Sequence, residues 1–124
     1  MLTSNVIKKI TTTQLLKSQS CANTGAATTL SLDVSSYEGW IRVTANVGTI
    51  TGTMDMKVVT SANSNLTSSS DAYTWTQVTT SNDDAVYTCD LECNALKQYI
   101  GFVGTIVTGP VLLGVTVEGS PKYI

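Results

Sequence analysis

Residues 40–47 read Trp-Ile-Arg-Val-Thr-Ala-Asn-Val, and this stretch decides the fold. Ile41, Val43, Ala45 and Val47 alternate with Arg42, Thr44 and Asn46. Successive side chains of an extended chain point to opposite faces, so a period of two predicts a strand with one apolar face and one polar face. The same period continues in both directions. Upstream, Leu30, Leu32 and Val34 alternate with Ser31 and Asp33, before a break over Ser35–Gly39. Downstream, Gly48 and Gly52 bracket a turn that leads into Met54, Met56 and Val58, with Asp55 and Lys57 on the other face. Residues 40–60 therefore read as a hairpin.

The pattern extends to Val117. Tyr73, Trp75 and Gln77 share a face opposite Thr74, Thr76 and Val78, with the aromatic rings directed at the core. After the turn signal Ser81-Asn82-Asp83-Asp84, one face carries Ala85, Tyr87, Cys89, Leu91 and Cys93 and the other Thr88, Asp90 and Glu92. Tyr99–Val107 and Val111–Val117, joined at Thr108-Gly109-Pro110, are almost continuously apolar, which predicts cover on both faces. That cover comes from a second subunit or from an arm of the same chain. The polar stretch Ser61–Ala72 reads as a mobile loop. In residues 1–20, Thr11, Thr12 and Thr13 break any helical stripe among Val6, Ile7, Ile10, Leu15 and Leu16, so this part reads as an extended arm, part of it strand. The expectation is an all-β chain: an arm over 1–20, then a single domain over 21–124. About eight strands in a jelly-roll-like antiparallel β-sandwich come first, and an immunoglobulin-like sandwich is the alternative.

Composition narrows the function. At 124 residues the chain is long enough to fold as one domain without staples. Charged residues are only 13%, while Thr and Ser together supply about a quarter, which suits exposed strand faces. The net charge of −2 is uneven: residues 1–20 carry Lys8, Lys9 and Lys17 and no acid, whereas the rest has four cations against nine acids. Arg42, Lys57, Lys97 and Lys122 are scattered, so no basic face for nucleic acid is expected. The start of the chain lacks a secretory apolar region, and no run of about 18 apolar residues occurs, so no membrane partner is expected and the chain reads as made in the cytoplasm.

The chain contains no histidine, which removes the commonest base and metal ligand. No catalytic, cofactor-binding or metal-binding residues are assigned. Cys21, Cys89 and Cys93 are an odd number and read as free, mostly buried thiols. Cys89 and Cys93 would lie ~13 Å apart on a continuous strand, too far to bridge. Asp83, Asp84, Asp90 and Glu92 could in principle supply a carboxylate pair, but Asp83 and Asp84 sit where aspartate makes turns. Asp71, Asp83 and Asp84 lack the spacing of a calcium loop. Asn65-Leu66-Thr67 matches a glycosylation acceptor and is read as coincidence. Trp40 points away from Ile41 and Val43; an exposed tryptophan suits a sugar platform or an interface anchor, and the simpler alternative is packing beneath the arm.

The order of several segments resembles a known family. Leu32-Asp33-Val34-Ser35-Ser36-Tyr37-Glu38-Gly39-Trp40-Ile41 comes first, followed by Val47-Gly48, Met54-Asp55-Met56-Lys57-Val58 and Leu96-Lys97-Gln98-Tyr99-Ile100. Val107-Thr108-Gly109, Val111-Leu112-Leu113-Gly114 and Gly119-Ser120-Pro121-Lys122-Tyr123 complete the series. Over about residues 30–123 the chain is similar to small head decoration, or cement, proteins of tailed bacteriophages. The chain departs from the family at Thr60–Ser70, so nothing is carried over there. The resemblance implies a non-enzymatic virion protein on the capsid exterior, with the major capsid protein as partner and a homo-oligomer, a trimer by preference. Val6, Ile7, Lys8, Lys9, Ile10, Leu15, Leu16 and Trp40 are the candidate capsid or oligomer contacts. A tail or connector component and a carbohydrate-binding sandwich are the alternatives.

Overall fold

The computed structural model describes residues 10–21, 24–27 and 31–121. Nine strands form among them: β1 (Thr11–Cys21), β2 (Thr24–Ala27), β3 (Leu32–Asp33), β4 (Tyr37–Val47), β5 (Thr53–Ser61), β6 (Ser70–Thr74), β7 (Ala85–Glu92), β8 (Tyr99–Val107) and β9 (Val111–Pro121). They make two antiparallel sheets, ordered β1-β9-β4-β7 and β2-β8-β5-β6, with β3 also on β8. β2 lies opposite Gly104–Val107 and β3 opposite Tyr99–Ile100, so the two act as one interrupted strand and each sheet has four positions. The chain changes sheet at most of its connections, and this order is that of a jelly roll.

The expected hairpin over 40–60 is not formed. Both edges of β4 are occupied, by β7 and by β9 along its length, so β5 has no place beside it and pairs with β8 and β6 in the other sheet. The segment between Gly48 and Gly52 crosses between the sheets instead. Ile50 at its middle is buried, and the Gly48 amide donates to the Leu112 carbonyl at 2.8 Å. Gly52 is required by contact: a Cβ there would lie 1.9 Å from the Val107 carbonyl oxygen.

The core fills the space between the inner faces. Ile41, Val43, Ala45 and Val47 meet Leu113, Val115 and Val117 within the first sheet, and the second contributes Met54, Met56, Val58, Ile100, Phe102 and Ile106. Burying each large side chain contributes about 1.5–3 kcal/mol. Trp75 faces this core with its ring 6.3 Å from Phe102, and its indole Nε1 donates to the Thr88 carbonyl at 3.1 Å, tying the second sheet to β7 of the first. Tyr73 stays partly exposed at the edge and meets Trp75 edge-on at 5.3 Å.

Residues 11–20, within the arm expected to be in part strand, belong to an edge strand of the sandwich, paired with β9 from Thr11 opposite Gly119 to Cys21 opposite Val111. Two further expectations change. The outward positions of the apolar runs are only partly covered: Val103 is half-buried, while Val107 and Leu112 are exposed. Much of that outer face is apolar only because it is glycine, with Leu66 lying over Gly101 and Ser18 over Gly114. The loop expected over Ser61–Ala72 is shorter, because Ser61 ends β5 and residues 70–72 begin β6. Ser61 Oγ donates to the Thr67 carbonyl at 2.6 Å, and Asn65 Oδ1 accepts from the amide and hydroxyl of Thr67.

Candidate functional site

The outer face of the first sheet carries the most distinctive surface. Its origin is an irregularity in β4. Glu38 faces Ser120 of β9 and Ile41 faces Gly119, so Gly39 and Trp40 are two extra residues with no counterpart on β9. Gly39 supports the insertion by adopting φ +74°, a left-handed conformation that costs glycine nothing. Trp40 is carried outward and is 60% exposed.

A groove of about 550 Å³ opens beside it, lined by Ile10, Trp40, Ile41, Arg42, Asp90, Glu118, Gly119 and Ser120. Arg42 faces Asp90 on one neighbouring strand and Glu118 on the other. Its guanidinium grips Asp90 as a fork, with Nε donating to Oδ1 at 2.7 Å and Nη2 to Oδ2 at 3.1 Å. That hydrogen bonding holds the Asp90 carboxyl below its ordinary range and raises Arg42, with Glu118 adding a smaller attraction to the guanidinium. The pair is solvent-exposed, so it orients the groove wall more than it stabilises the fold. Glu38 and Glu92 are exposed at the same end of the face, Glu92 directly opposite Trp40. A second recess of about 360 Å³, lined by residues including Ser18, Asn46, Gly48 and Leu112, lies at the other end.

The residues anticipated from sequence divide into three groups. Val6, Ile7, Lys8 and Lys9 lie outside the described residues. Ile10 and Trp40 come together at the groove. Leu15 and Leu16 face the core and offer no contact surface while β1 stays in its sheet. They are adjacent yet both inward because β1 gains a residue between Gln14 and Leu16 relative to β9, which resets the alternation. The partnership of Arg42 with Asp90 and Glu118 depends on strand pairing across long sequence distances. Its visible trace is the outward parity these three residues share in their own strands.

The carboxylates have structural work. Asp83 Oδ2 accepts from the Ile50 amide at 2.9 Å, and Asp84 accepts from the Thr49 hydroxyl, binding the crossing segment to the neighbouring turn. Asp71 pairs with Lys57 at 3.0 Å. Among the described residues, no three Cys, Asp or Glu side chains group closely enough to hold a metal ion. Cys21 and Cys89 are buried thiols, and burial pushes Cys89 up to about 11, with the Asp90 charge adding to the shift.

No protein-family model and no curated protein matches this chain. Solved structures match it in fold. The PBSX exported protein XepA aligns with a TM-score of 0.64 at 11% identity, over 92% of this chain and 38% of that one. This chain thus spans well under half of XepA. A structure of Bacillus endospore appendages, described as disulfide-linked pili, gives 0.57 at 11% identity, covering 92% and 90%. The SPBc2 prophage-derived protein YomS gives 0.51 at 13% identity, covering 89% and 95%. These likenesses establish a shared sandwich fold.

Proposed function

We propose that this protein is a non-enzymatic structural component of a phage virion that decorates the outer surface of the major capsid protein shell and stabilises it. The observation that carries the reading is where the family-like segments fall. Leu32–Ile41 supplies β3 and the start of β4, Met54–Val58 lies in β5, Tyr99–Ile100 opens β8, and Val111–Gly114 opens β9. The motif resemblance therefore follows the framework of a jelly roll, and the prophage-derived YomS shares the fold. In this reading the protein is a homo-oligomer, a trimer by preference, and its contact surface includes Val6, Ile7, Lys8, Lys9, Ile10 and Trp40. Stabilisation follows from mass action, because binding energy available only on the assembled shell favours that shell.

Co-sedimentation of the purified protein with undecorated phage heads tests the proposal. Saturable binding in many copies per head, with raised thermal resistance of the heads, is expected. Binding at a single vertex would support the tail or connector alternative, and no binding would remove the virion role.

A further inference from the structure

We propose that the Trp40 groove is the receptor for the basic N-terminal segment, residues 1–9, of a second copy of this chain. The inference rests on the homo-oligomeric part of the proposed function and not on head binding.

Three observations carry it. The first is charge. The groove is lined by Asp90 and Glu118 beside the Arg42 guanidinium, which Asp90 already engages, and Glu92 and Glu38 are exposed at the same end of the sheet, opposite Trp40 and Ser120. Among the described residues, Glu38, Glu92 and Glu118 enter no salt bridge, and the chain's most basic segment holds Lys8 and Lys9 with no acid. The second is apolar matching. Trp40, Ile10 and Ile41 line the groove, and the segment carries Val6 and Ile7 immediately before its lysines, so an extended chain can seat apolar and basic side chains together. The third is reach. β1 is paired from Thr11, opposite Gly119 beside the groove, and nine residues precede Ile10 in the sequence. Nine residues extended reach about 30 Å, enough for the segment of one copy to span the groove of another.

The test is sedimentation of the full chain without heads, with tryptophan emission as a parallel readout, since Trp75 is buried and Trp40 is exposed. Self-association of the wild-type protein is expected to weaken ~30-fold or more in Trp40→Ala, as for an interface anchor. A similar loss is expected in the double variant Lys8→Glu, Lys9→Glu, together with weakening by salt in the wild type. Trp40 lies outside the core, and unchanged thermal melts will verify that both variants fold. Mixing the two decides the matter, because one variant keeps its segment and the other its groove. A heterodimer that neither forms alone is the expected result. A wild type that stays monomeric, or variants that associate like wild type, would overturn the proposal. So would a monomer whose Trp40 emission shifts with the lysine changes, since the segment would then occupy its own groove. Emission that answers an added oligosaccharide but never protein concentration would assign the groove to a glycan and equally overturn it.

Discussion

The two faces of β4 share one backbone and behave as different materials. Inward, Ile41, Val43, Ala45 and Val47 are buried against the opposite sheet; outward, Trp40, Arg42 and Asn46 are exposed. The inner face fixes the fold through packing, where a missing methylene group is felt. The outer face spends little on stability and keeps an aromatic ring and oriented charges available for contact. The comparison teaches that one strand can carry architecture and recognition separately, provided that the period of two is not broken.

The largest effect should come from the inner side. Phe102, fully buried and close to Trp75, leaves a cavity when cut to alanine; Phe102→Ala should cost about 3–5 kcal/mol in denaturant unfolding. A loss below about 1 kcal/mol would mean that the sheets do not pack as described. Next comes Gly52→Ala, which forces a methyl group into the Val107 and Thr108 carbonyls and should cost about 1–3 kcal/mol by the same assay.

Cys89 links the faces through pH. Its thiol keeps its proton in the fold until about 11, whereas the unfolded chain releases it near 9.0. The unfolded state is thus favoured as the proton leaves it first. The Cys89 contribution should be full below pH 9 and fall away between about 9 and 11. Cys89→Ala should flatten that part of a stability profile. The thiol should also resist alkylation at neutral pH until the protein unfolds.

On the outer side the effects on folding should be small. Trp40→Ala should change unfolding free energy by no more than about 0.5 kcal/mol, while abolishing whatever contact the groove makes. Destabilisation comparable to that of Phe102→Ala would erase the distinction between the faces. Arg42→Ala should mainly let the Asp90 carboxyl rise toward its ordinary value, as an NMR pH titration would record, because the fork is what lowers it.

Much of this was legible in the sequence because alternation is a local property. The inner faces of β4, β5, β7 and β9 follow directly from their apolar parity. The destination of β5 was not, because a glycine-bounded segment of five residues serves equally as a hairpin turn or a crossing, and the occupancy of both β4 edges is decided by β7 and β9, far along the chain. Leu15 and Leu16 misled for a related reason: an extra residue in one strand is defined only against its partner. At the site, the outward aim of Trp40 could be read from parity. The fork between Arg42 and Asp90 could not, since 48 residues separate them.

The insertion at Gly39 and Trp40 also bears on how such a strand can change over generations. Two residues make one full pleat, so losing or gaining the pair leaves Tyr37 and Ile41 facing inward as before. A lineage can therefore acquire or discard this tooth in one in-frame step while its core stays in register. The surface of the sheet is free to be refitted to new neighbours without rebuilding the body that carries it.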